Sequence, residues 1–378
     1  MRIVVITVDY PDSKRNVFPF VKALVESLAE RGNECAVIAP FSVTRNKRFH
    51  KIVSVESTKN GANITVIRPP FISFSNLHIG KIFVTGKLHE FAVKMGFRRI
   101  PFKPDVVYGH FWQSALEGYK YSKHNGTPLF VATGESNVAE MFSCSLSLKP
   151  FYDFISGVIC VSSKNKDESI NLGLTNPEKC VVIPNAVDNS VFKVMDKKEC
   201  RRKLSIQEDS FIVAFVGWFN NRKGVLRVSD AIKKLKDKTV KSIFIGDGEQ
   251  QPDCDGILFK GPVIHNDIPL YLNAADIFVL PTLQEGCCNS IVEALTCGLP
   301  VISSDRAFNW DVLNDTNSIM VNPENVEEIS TAINKLKTDE GLRKYLAEGA
   351  LKTSESLSIA QRAEKIELFI KEKSSSHA

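Results

Sequence analysis

The stretch that decides the fold is Leu280-Pro281-Thr282-Leu283-Gln284-Glu285-Gly286-Cys287-Cys288-Asn289-Ser290-Ile291-Val292-Glu293-Ala294-Leu295. Its pattern predicts a buried strand, then a loop, then a helix. We expect the strand to end at Pro281 and the helix to begin near Asn289. Ligands of open parallel sheets bind beyond the carboxyl ends of the strands. The positive end of the following helix favours phosphate there. Glu285, on the loop, and Glu293, on the first turn of the helix, are therefore predicted to lie near one crevice.

The remainder of the chain alternates strand-like and helical segments, which is typical of βαβ units with parallel sheets. With 378 residues the chain is too long for one ordinary core. A polar, charged stretch at 188–209 separates two alternating series. We predict two α/β domains, the first of them open, parallel and without a half-exposed antiparallel strand. The predicted strands are residues 3–8, 35–39, 64–67, 106–108, 129–132, 158–161, 181–183, 211–216, 242–245, 277–280, 301–303 and 319–321.

The apolar runs and the cysteine spacing predict neither a membrane-spanning protein nor a disulfide-rich one. No stretch reaches the run of about 18 apolar residues that a membrane-spanning helix needs. The short apolar run at the N-terminus ends in Asp9 rather than at a small-residue cleavage site, so it is interpreted as a strand and the protein as cytoplasmic. The nine cysteines are scattered without a Cys-x-x-Cys pair, which predicts neither disulfides nor a zinc site.

Positive charge is concentrated in one segment. Residues 41–104 contain twelve Lys and Arg against the two acids Glu56 and Glu90, whereas the whole chain has a net charge of only +5. Within it, residues 80–99 have an amphipathic helical pattern, with an apolar stripe at Val84, Leu88, Phe91 and Met95 among basic residues. The stripe has two interpretations, a core-facing surface or contact with an anionic membrane. Nucleic acid is not expected, because no helix-turn-helix or aromatic platform accompanies the charge.

The deciding stretch resembles the E-x7-E signature of the retaining glycosyltransferases of family 4, also called glycosyl transferases group 1. The following residues, Cys297-Gly298-Leu299-Pro300-Val301-Ile302, are similar to the family's G-x-P-V-I continuation. Residues 216–224, VGWFNNRKG, resemble its strand–loop pattern G-R-x-x-x-x-K-G. Further similar segments are residues 105–110, 183–188, 245–249, 260–263 and 271–281.

This resemblance implies the GT-B fold: two Rossmann-like domains with parallel sheets that face each other across a cleft, and a C-terminal helix that crosses back to the N-terminal domain. The implied acceptor-binding domain comprises residues 1–190 plus the helix 356–375, and the donor-binding domain comprises 191–355. The implied activity is that of a retaining enzyme of the hexosyltransferase type, which moves a sugar from a nucleotide-diphosphate sugar to a glycan or lipid-linked acceptor. Such a role fits cell-surface polysaccharide or glycolipid synthesis.

The resemblance also implies roles for single residues. Lys223 contacts the donor pyrophosphate, Glu293 accepts hydrogen bonds from the ribose, and Glu285 lies beside the transferred sugar. Val263 lies where the family packs the edge of the base, and the backbone from 286 to 291 holds sugar hydroxyls and phosphate. The implied donor-binding set is Gly217, Trp218, Arg222, Lys223, Val263, Gly286, Cys287, Cys288, Asn289, Ser290, Ile291 and Glu293. No cofactor or metal is expected, because the one Asp-x-Asp pattern, 253–255, lies in a charged loop.

The chain departs from the family in three places. Trp218 replaces a phosphate-binding Arg, so either Arg222 supplies that charge or a stacking Trp has taken its place. Residues 12–17 lack the family's glycine-rich loop. Gly134 replaces a His that serves the acceptor, which leaves two alternatives on the acceptor side: His110, to orient or to deprotonate a hydroxyl, and Glu135, to act as a base. Each of them has a structural role as its competing interpretation.

Two other classes of protein fit the sequence less well. A catalytically impaired glycosyltransferase-like binding partner would explain Trp218 and Gly134, but not the retained Lys223, Glu285 and Glu293. A nicotinamide-dependent dehydrogenase needs G-x-G-x-x-G after its first strand. Here the only G-x-G turn of that kind, at 246–248, lies late in the chain and lacks the third glycine.

Overall fold

The chain forms two compact units in a computed structural model, which describes residues 1–12, 17–44, 51–80, 82–142 and 144–375. Unit 1 comprises Met1–Val161, Asn165–Ile183 and Arg362–Ala378, and unit 2 comprises Ser162–Lys164 and Pro184–Gln361. The chain therefore passes from unit 1 to unit 2 at 183/184, where the sequence placed the boundary at 190/191. Within the described ranges, each helix is too short or too polar to traverse a bilayer.

Unit 1 is built on an eight-stranded sheet with the order β12-β11-β10-β9-β1-β2-β5-β4. Two small two-stranded sheets, β3–β6 and β7–β8, accompany it. The strands are β1 Arg2–Ile6, β2 Glu34–Ile38, β3 Phe41–Ser42, β4 Val53–Ser57, β5 Asn63–Ile67, β6 Pro70–Phe71, β7 His78–Ile79, β8 Ile82–Phe83, β9 Val106–His110, β10 Leu129–Thr133, β11 Gly157–Cys160 and β12 Cys180–Val182. The helices up to this point of the chain are α1 Pro19–Glu30, α2 Val84–Phe97, α3 Trp112–Asn125, α4 Val138–Met141, α5 Lys149–Phe154 and α6 Ser163–Asn171.

Unit 2 is built on a six-stranded sheet with the order β15-β14-β13-β16-β17-β18, in which every pairing is parallel. Its strands are β13 Phe211–Val216, β14 Val240–Ile245, β15 Ile257–Gly261, β16 Ile277–Leu280, β17 Val301–Ser304 and β18 Ser318–Val321. Its helices are α7 Lys197–Lys203, α8 Val225–Leu235, α9 Ile268–Ala274, α10 Asn289–Thr296, α11 Val326–Thr338 and α12 Glu340–Ser354. The prediction of two α/β units with parallel sheets is confirmed.

The last helix, α13 (Ile359–Ser375), contributes to unit 1 from Arg362 onward. Arg31 pairs with Glu367 across 2.7 Å. The rings of Phe130 and Phe369 meet at 6.1 Å between their centroids. The C-terminal segment is thus packed against β10 and the end of α1, far from its neighbours in sequence.

One prediction about unit 1 was wrong. The edge strand β4 pairs antiparallel with β5, although the sequence was interpreted as free of half-exposed antiparallel strands. Its residues Val53 to Glu56 alternate between apolar and polar, and Val55 and Ser57 are exposed. An edge strand of this kind needs no βαβ crossover, so a search for βαβ units passes over it.

In unit 2 the fold brings together the loops after three neighbouring strands, β14, β13 and β16. The turn after β14 passes so close to the loop after β13 that it needs glycine. A Cβ on Gly246, whose φ is +149°, would lie 1.9 Å from the carbonyl oxygen of Gly217. A Cβ on Gly248, whose φ is +151°, would lie 2.4 Å from the carbonyl oxygen of Phe219. The Gly-x-Gly sequence therefore lets the turn after β14 pack directly against the backbone of the β13 loop.

Candidate active site

A main-chain hydrogen bond joins the loops after β13 and β16, and a side chain of the following helix α8 adds a second bond. The N–H of Leu283 donates to the carbonyl of Arg222 at 2.8 Å. The guanidinium of Arg227 donates to the carbonyl of Pro281 at 2.9 Å. Because both loops follow neighbouring parallel strands, they meet at the carboxyl edge of the sheet, where α/β folds bind their ligands.

Lys223 is the buried cation of this edge. It is only 8% exposed, and its ammonium lies 2.7 Å from Oε1 of Glu285 and 3.4 Å from Sγ of Cys288. Burial alone would lower the pKa of Lys223, but its interactions with Cys288 and with the carboxylate of Glu285 outweigh burial, and the pKa is raised. Lys223 therefore carries its positive charge throughout the neutral range.

Glu285 connects the two loops through one carboxylate oxygen. Its Oε1 accepts from the hydroxyl of Thr282 at 3.0 Å and from the guanidinium of Arg222, in addition to Lys223. Arg222 also donates to the carbonyl of Gln284 at 2.8 Å. Arg222 is thus committed to the β16 loop, which weighs against its serving as the substitute phosphate ligand for Trp218.

The N-terminus of α10 adjoins the lysine through Cys288, whose Sγ lies 3.2 Å from the hydroxyl of Ser290. The side chain of Asn185 also contacts the start of α10. It donates to the carbonyl of Cys287 at 3.0 Å and to Oδ1 of Asn289 at 2.8 Å. The first turn of a helix presents N–H groups without intrahelical partners and a partial positive charge. Lys223 and α10 consequently supply two independent sources of positive potential at one place.

Glu293 lies one turn further along α10 than predicted, because the helix begins at Asn289 and Glu293 is its fifth residue. Its Oε1 pairs with Nε2 of His265 at 3.0 Å, and the imidazole ring packs edge-on against Phe192. Burial alone would lower the pKa of His265, but the hydrogen bond to Glu293 and its charge outweigh burial, and the pKa is raised. Lys223 and Glu285 are in direct contact, whereas Glu293 belongs to this second, separate pair.

The other predicted donor-binding residues are spread around this edge. Gly217 follows β13 and lies along the aliphatic part of Lys223. Trp218 is 64% exposed, and Val263 is half-buried in the loop after β15. Gly286 is buried in the β16 loop. One part of the prediction needs correction: the N–H of Ile291 donates to the carbonyl of Cys288 at 3.2 Å, so it is engaged within the helix.

In unit 1, His110 ends β9 and is 7% exposed. Burial, together with the charge of Arg362, lowers the pKa of His110 to about 3. An imidazole with this pKa is a very weak base at neutral pH. Of the two roles predicted for His110, orienting a hydroxyl is therefore favoured over deprotonating it.

Glu135 has a structural role. Its Oε1 accepts from the N–H of Trp112 at 2.9 Å, at the start of α3, and its Oε2 accepts from Thr133 at 2.6 Å and from the N–H of Gly134 at 2.9 Å. Burial raises the pKa of Glu135 against the effect of these hydrogen bonds. A buried carboxylate whose two oxygens are taken by the backbone and a hydroxyl is poorly placed to accept a proton from a substrate.

Among the described residues, no group of three His, Cys, Asp or Glu side chains is arranged to hold a metal ion. The loop at 12–17 that was noted for its lack of glycine falls largely outside the described residues, at 13–16.

Two family models match the chain in succession. The model described as Glycosyltransferase Family 4 matches residues 19–191, and the model described as Glycosyl transferases group 1 matches residues 196–353. Together they account for most of the chain. The protein belongs to this glycosyltransferase family. It is therefore a glycosyltransferase, as the resemblance implied.

Two curated relatives and one solved structure show the extent of the similarity. The putative teichuronic acid biosynthesis glycosyltransferase TuaC of Bacillus subtilis (strain 168) is 25% identical over 93% of each chain. The UDP-Gal:alpha-D-GlcNAc-diphosphoundecaprenol alpha-1,3-galactosyltransferase of Escherichia coli is 28% identical over 71% of this chain and 76% of its own. Sucrose-phosphate synthase from Thermosynechococcus elongatus superimposes with a TM-score of 0.79 at 17% identity, over 99% of each chain. The fold of the glycosyltransferase is GT-B.

Sequence reasoning missed two residues of this glycosyltransferase that hold its site together, Asn185 and His265. Asn185 lies within the family-like segment 183–188, which by itself predicts no role for the side chain. A polar side chain directly after Pro184, at the point where the chain enters unit 2, was the available signal. His265 had no such signal, because its partner Glu293 lies 28 positions away.

Replacing Lys223 by Met removes the ammonium and keeps an apolar side chain of similar length. We expect the Kd for a nucleoside diphosphate, measured by calorimetry with UDP, GDP and ADP, to rise about 10- to 100-fold, because a hydrogen bond to a charged group contributes about 1.5–3 kcal/mol. Glu285 keeps Thr282 and Arg222 as partners, so the variant should remain folded.

The matched control is Lys233→Met on the outer face of α8, where the ammonium pairs with Asp253 at 2.6 Å in solvent. Its Kd should equal that of the wild type. Wild-type affinity in the Lys223 variant, with a folded protein by circular dichroism, would refute the placement of the diphosphate at this lysine.

Proposed function

We propose that the protein is a retaining glycosyltransferase that moves a sugar from a UDP-sugar to a lipid-linked sugar acceptor, in the synthesis of a cell-surface polysaccharide or glycolipid. The observation that carries this proposal is the buried Lys223 ammonium, held by Glu285 and Cys288 beside the N-terminus of α10. A buried cation beside a helix N-terminus fits a diphosphate better than it fits an uncharged ligand.

The reaction in this proposal is a displacement at the anomeric carbon. A bond forms between the acceptor oxygen and the anomeric carbon as the bond from that carbon to the diphosphate oxygen breaks. The nucleoside diphosphate leaves with the electron pair, and the proton of the acceptor hydroxyl passes to the departing phosphate oxygen on the same face of the sugar. Lys223 and the helix N-terminus stabilise the charge that develops on the leaving group.

We assign no metal or other cofactor to this reaction. In this proposal the ammonium of Lys223 neutralises the leaving diphosphate, which is the task a divalent cation performs in other transferases. Glu293 is proposed to accept hydrogen bonds from the ribose, with His265 fixing its carboxylate across 3.0 Å. Glu285 is proposed to position Lys223 and to lie beside the transferred sugar.

The choice of substrates is supported by the relatives. The Escherichia coli relative is named for UDP-Gal as donor and a sugar diphosphoundecaprenol as acceptor, and the Bacillus subtilis relative for teichuronic acid biosynthesis. A catalytically impaired binding partner is the competing proposal. The retained Lys223, Glu285 and Glu293 favour the enzyme, because drift after a loss of chemistry would have changed these residues too.

A transfer assay tests the proposal. The full chain is incubated with radiolabelled UDP-sugars and, as probe acceptor, GlcNAc-diphosphoundecaprenol, and the anomeric configuration of the product is read by NMR. We expect transfer with retention of the donor configuration. Replacing Glu285 by Gln should lower kcat about 100-fold, because the group that holds the catalytic ammonium loses its charge.

The control is Glu327→Gln, which changes an exposed carboxylate on α11 that pairs with Lys234 at 2.5 Å, and it should leave kcat unchanged. Binding of UDP without transfer or hydrolysis of any UDP-sugar would favour the binding-partner alternative. A product of inverted configuration would remove the retaining assignment and leave the transferase.

We further propose that unit 1 binds an anionic membrane surface at its cytoplasmic face, through the basic segment 41–104. The predicted stripe on α2 is only partly covered: Val84, Leu88 and Met95 are half-buried and Phe91 is 60% exposed, whereas the fully buried residues of the helix are Ala92, Val93, Gly96 and Phe97. Exposed apolar side chains also precede the helix, at Ile72, Phe74, Leu77, Ile79 and Phe83. Four of the twelve basic residues, Arg45, Lys47, Arg48 and Lys81, fall outside the described residues.

The described charges suit this surface. Lys94, Arg98 and Arg99 are exposed in the last turn of α2 and just beyond it. Each basic residue near an anionic leaflet adds about 1 kcal/mol of attraction. Exposed apolar side chains next to several cations are the combination that binds membrane interfaces.

Flotation with liposomes tests the membrane proposal. We expect the wild type to float with phosphatidylglycerol vesicles and to stay behind with neutral phosphatidylcholine vesicles. The double variant Lys94→Ala/Arg98→Ala and the double variant Ile79→Ser/Phe91→Ser should each float less. Tyr345→Ser, which removes an exposed aromatic ring of unit 2, serves as control. Equal, negligible flotation of the wild type with both vesicles would overturn the proposal.

A further inference from the structure

Two phenylalanine rings contact His110 at the carboxyl edge of the unit 1 sheet, and a third ring packs against both of them. Phe20 and Phe111 lie 5.5 and 4.5 Å from the imidazole, measured between ring centroids. Phe18 lies 5.4 Å from Phe20 and 6.2 Å from Phe111. All three phenylalanines are only half-buried. We call these four residues the aromatic cluster.

The backbone of the aromatic cluster is strained. Phe111 has φ 77° and ψ 157°, a region in which glycine is normally found, and such a conformation costs about 1–3 kcal/mol. Two hydrogen bonds hold this conformation in place. The N–H of Phe111 donates to the carbonyl of Ala132, and the N–H of Trp112 donates to the carboxylate of Glu135. Phe18 is left-handed as well, with φ 51°. A glycine at 111 would relieve the strain, so the phenyl ring itself is expected to have a use.

His110 adds one polar atom to this apolar surface. Its Nδ1 is buried and has no hydrogen-bond partner within the described part of the chain. The ring is neutral at physiological pH, so it can exchange one hydrogen bond with a hydroxyl without carrying charge. Arg362, whose charge acts on His110, donates to the carbonyl of Ile183. Among the described residues, the aromatic cluster therefore offers aromatic faces and one neutral hydrogen-bonding atom, which suits an uncharged ligand better than a phosphate.

We propose that the aromatic cluster binds a sugar ring of the acceptor: the apolar C–H face of a pyranose stacks on Phe111 and its neighbouring rings, and a hydroxyl of the same sugar bonds to Nδ1 of His110. This proposal rests on the proposed function, since it names how that acceptor is held. Its position beyond the carboxyl ends of β1 and β9 is the edge at which open parallel sheets bind ligands. An isoprenoid chain would leave the bare Nδ1 without a partner, whereas a sugar satisfies it.

Phe111→Gly is the discriminating variant, because it removes the ring and relieves the backbone together. Saturation-transfer NMR with the methyl glycosides of GlcNAc, galactose and glucose should show, for the wild type, contacts to one face of one of these sugars. In Phe111→Gly and in Phe111→Leu, which keeps apolar bulk without an aromatic face, affinity should fall about tenfold. Phe111→Tyr keeps the ring and should bind as the wild type does.

Two control measurements show whether a change in glycoside binding comes from loss of the Phe111 ring or from general damage to the protein. The Kd for UDP should be the same in the wild type and in the three Phe111 variants. Lys236→Gly, which relieves a left-handed residue in unit 2 without removing a ring, should leave glycoside binding unchanged.

Glycoside binding by the Gly or Leu variant at wild-type strength would overturn the inference. So would a wild type that binds undecaprenyl phosphate but none of the three glycosides. If the wild type binds UDP but no glycoside, only this inference fails. If it binds a glycoside but transfers nothing, the proposed function fails and the sugar site stands.

Discussion

The contact between Lys223 and Glu285 is the constraint on which the site depends. An ammonium that is 8% exposed needs compensation, because removal of a charge from water costs several kcal/mol even after relaxation. Glu285 and Cys288 supply that compensation from the loop that follows β16, whereas Lys223 lies on the loop that follows β13. The pair thereby ties the two loops together and keeps a positive charge beside the N-terminus of α10.

The sheet of unit 2 explains why these groups meet. β13 lies between β14 and β16, so the loops that follow these three strands leave the same edge. The absence of side chains at Gly246 and Gly248 lets the turn after β14 pack against the backbone of the β13 loop. Asn185 joins the segment that enters unit 2 to the start of α10. The site is therefore assembled by contacts between residues that lie tens of positions apart in the chain.

Much of this arrangement could be predicted from sequence, and the reasons for success and failure are physical. Buried parallel strands and a strand–loop–helix junction leave strong local patterns, so β13, β16 and α10 were located to within a few residues. The edge strand β4 and the pair formed by His265 and Glu293 depend on partners elsewhere in the fold and were missed. Glu135 and His110 were predicted as bases from their positions alone; burial, which sequence does not display, gives the first a structural role and makes the second a very weak base.

A crystal structure of the full chain with UDP tests the central claim most directly. The account predicts the β-phosphate within hydrogen-bonding distance of Nζ of Lys223 and of the first N–H groups of α10, and the ribose hydroxyls on Glu293. A β-phosphate held elsewhere, with Lys223 still enclosed by Glu285 and Cys288 and turned away from the nucleotide, would contradict it.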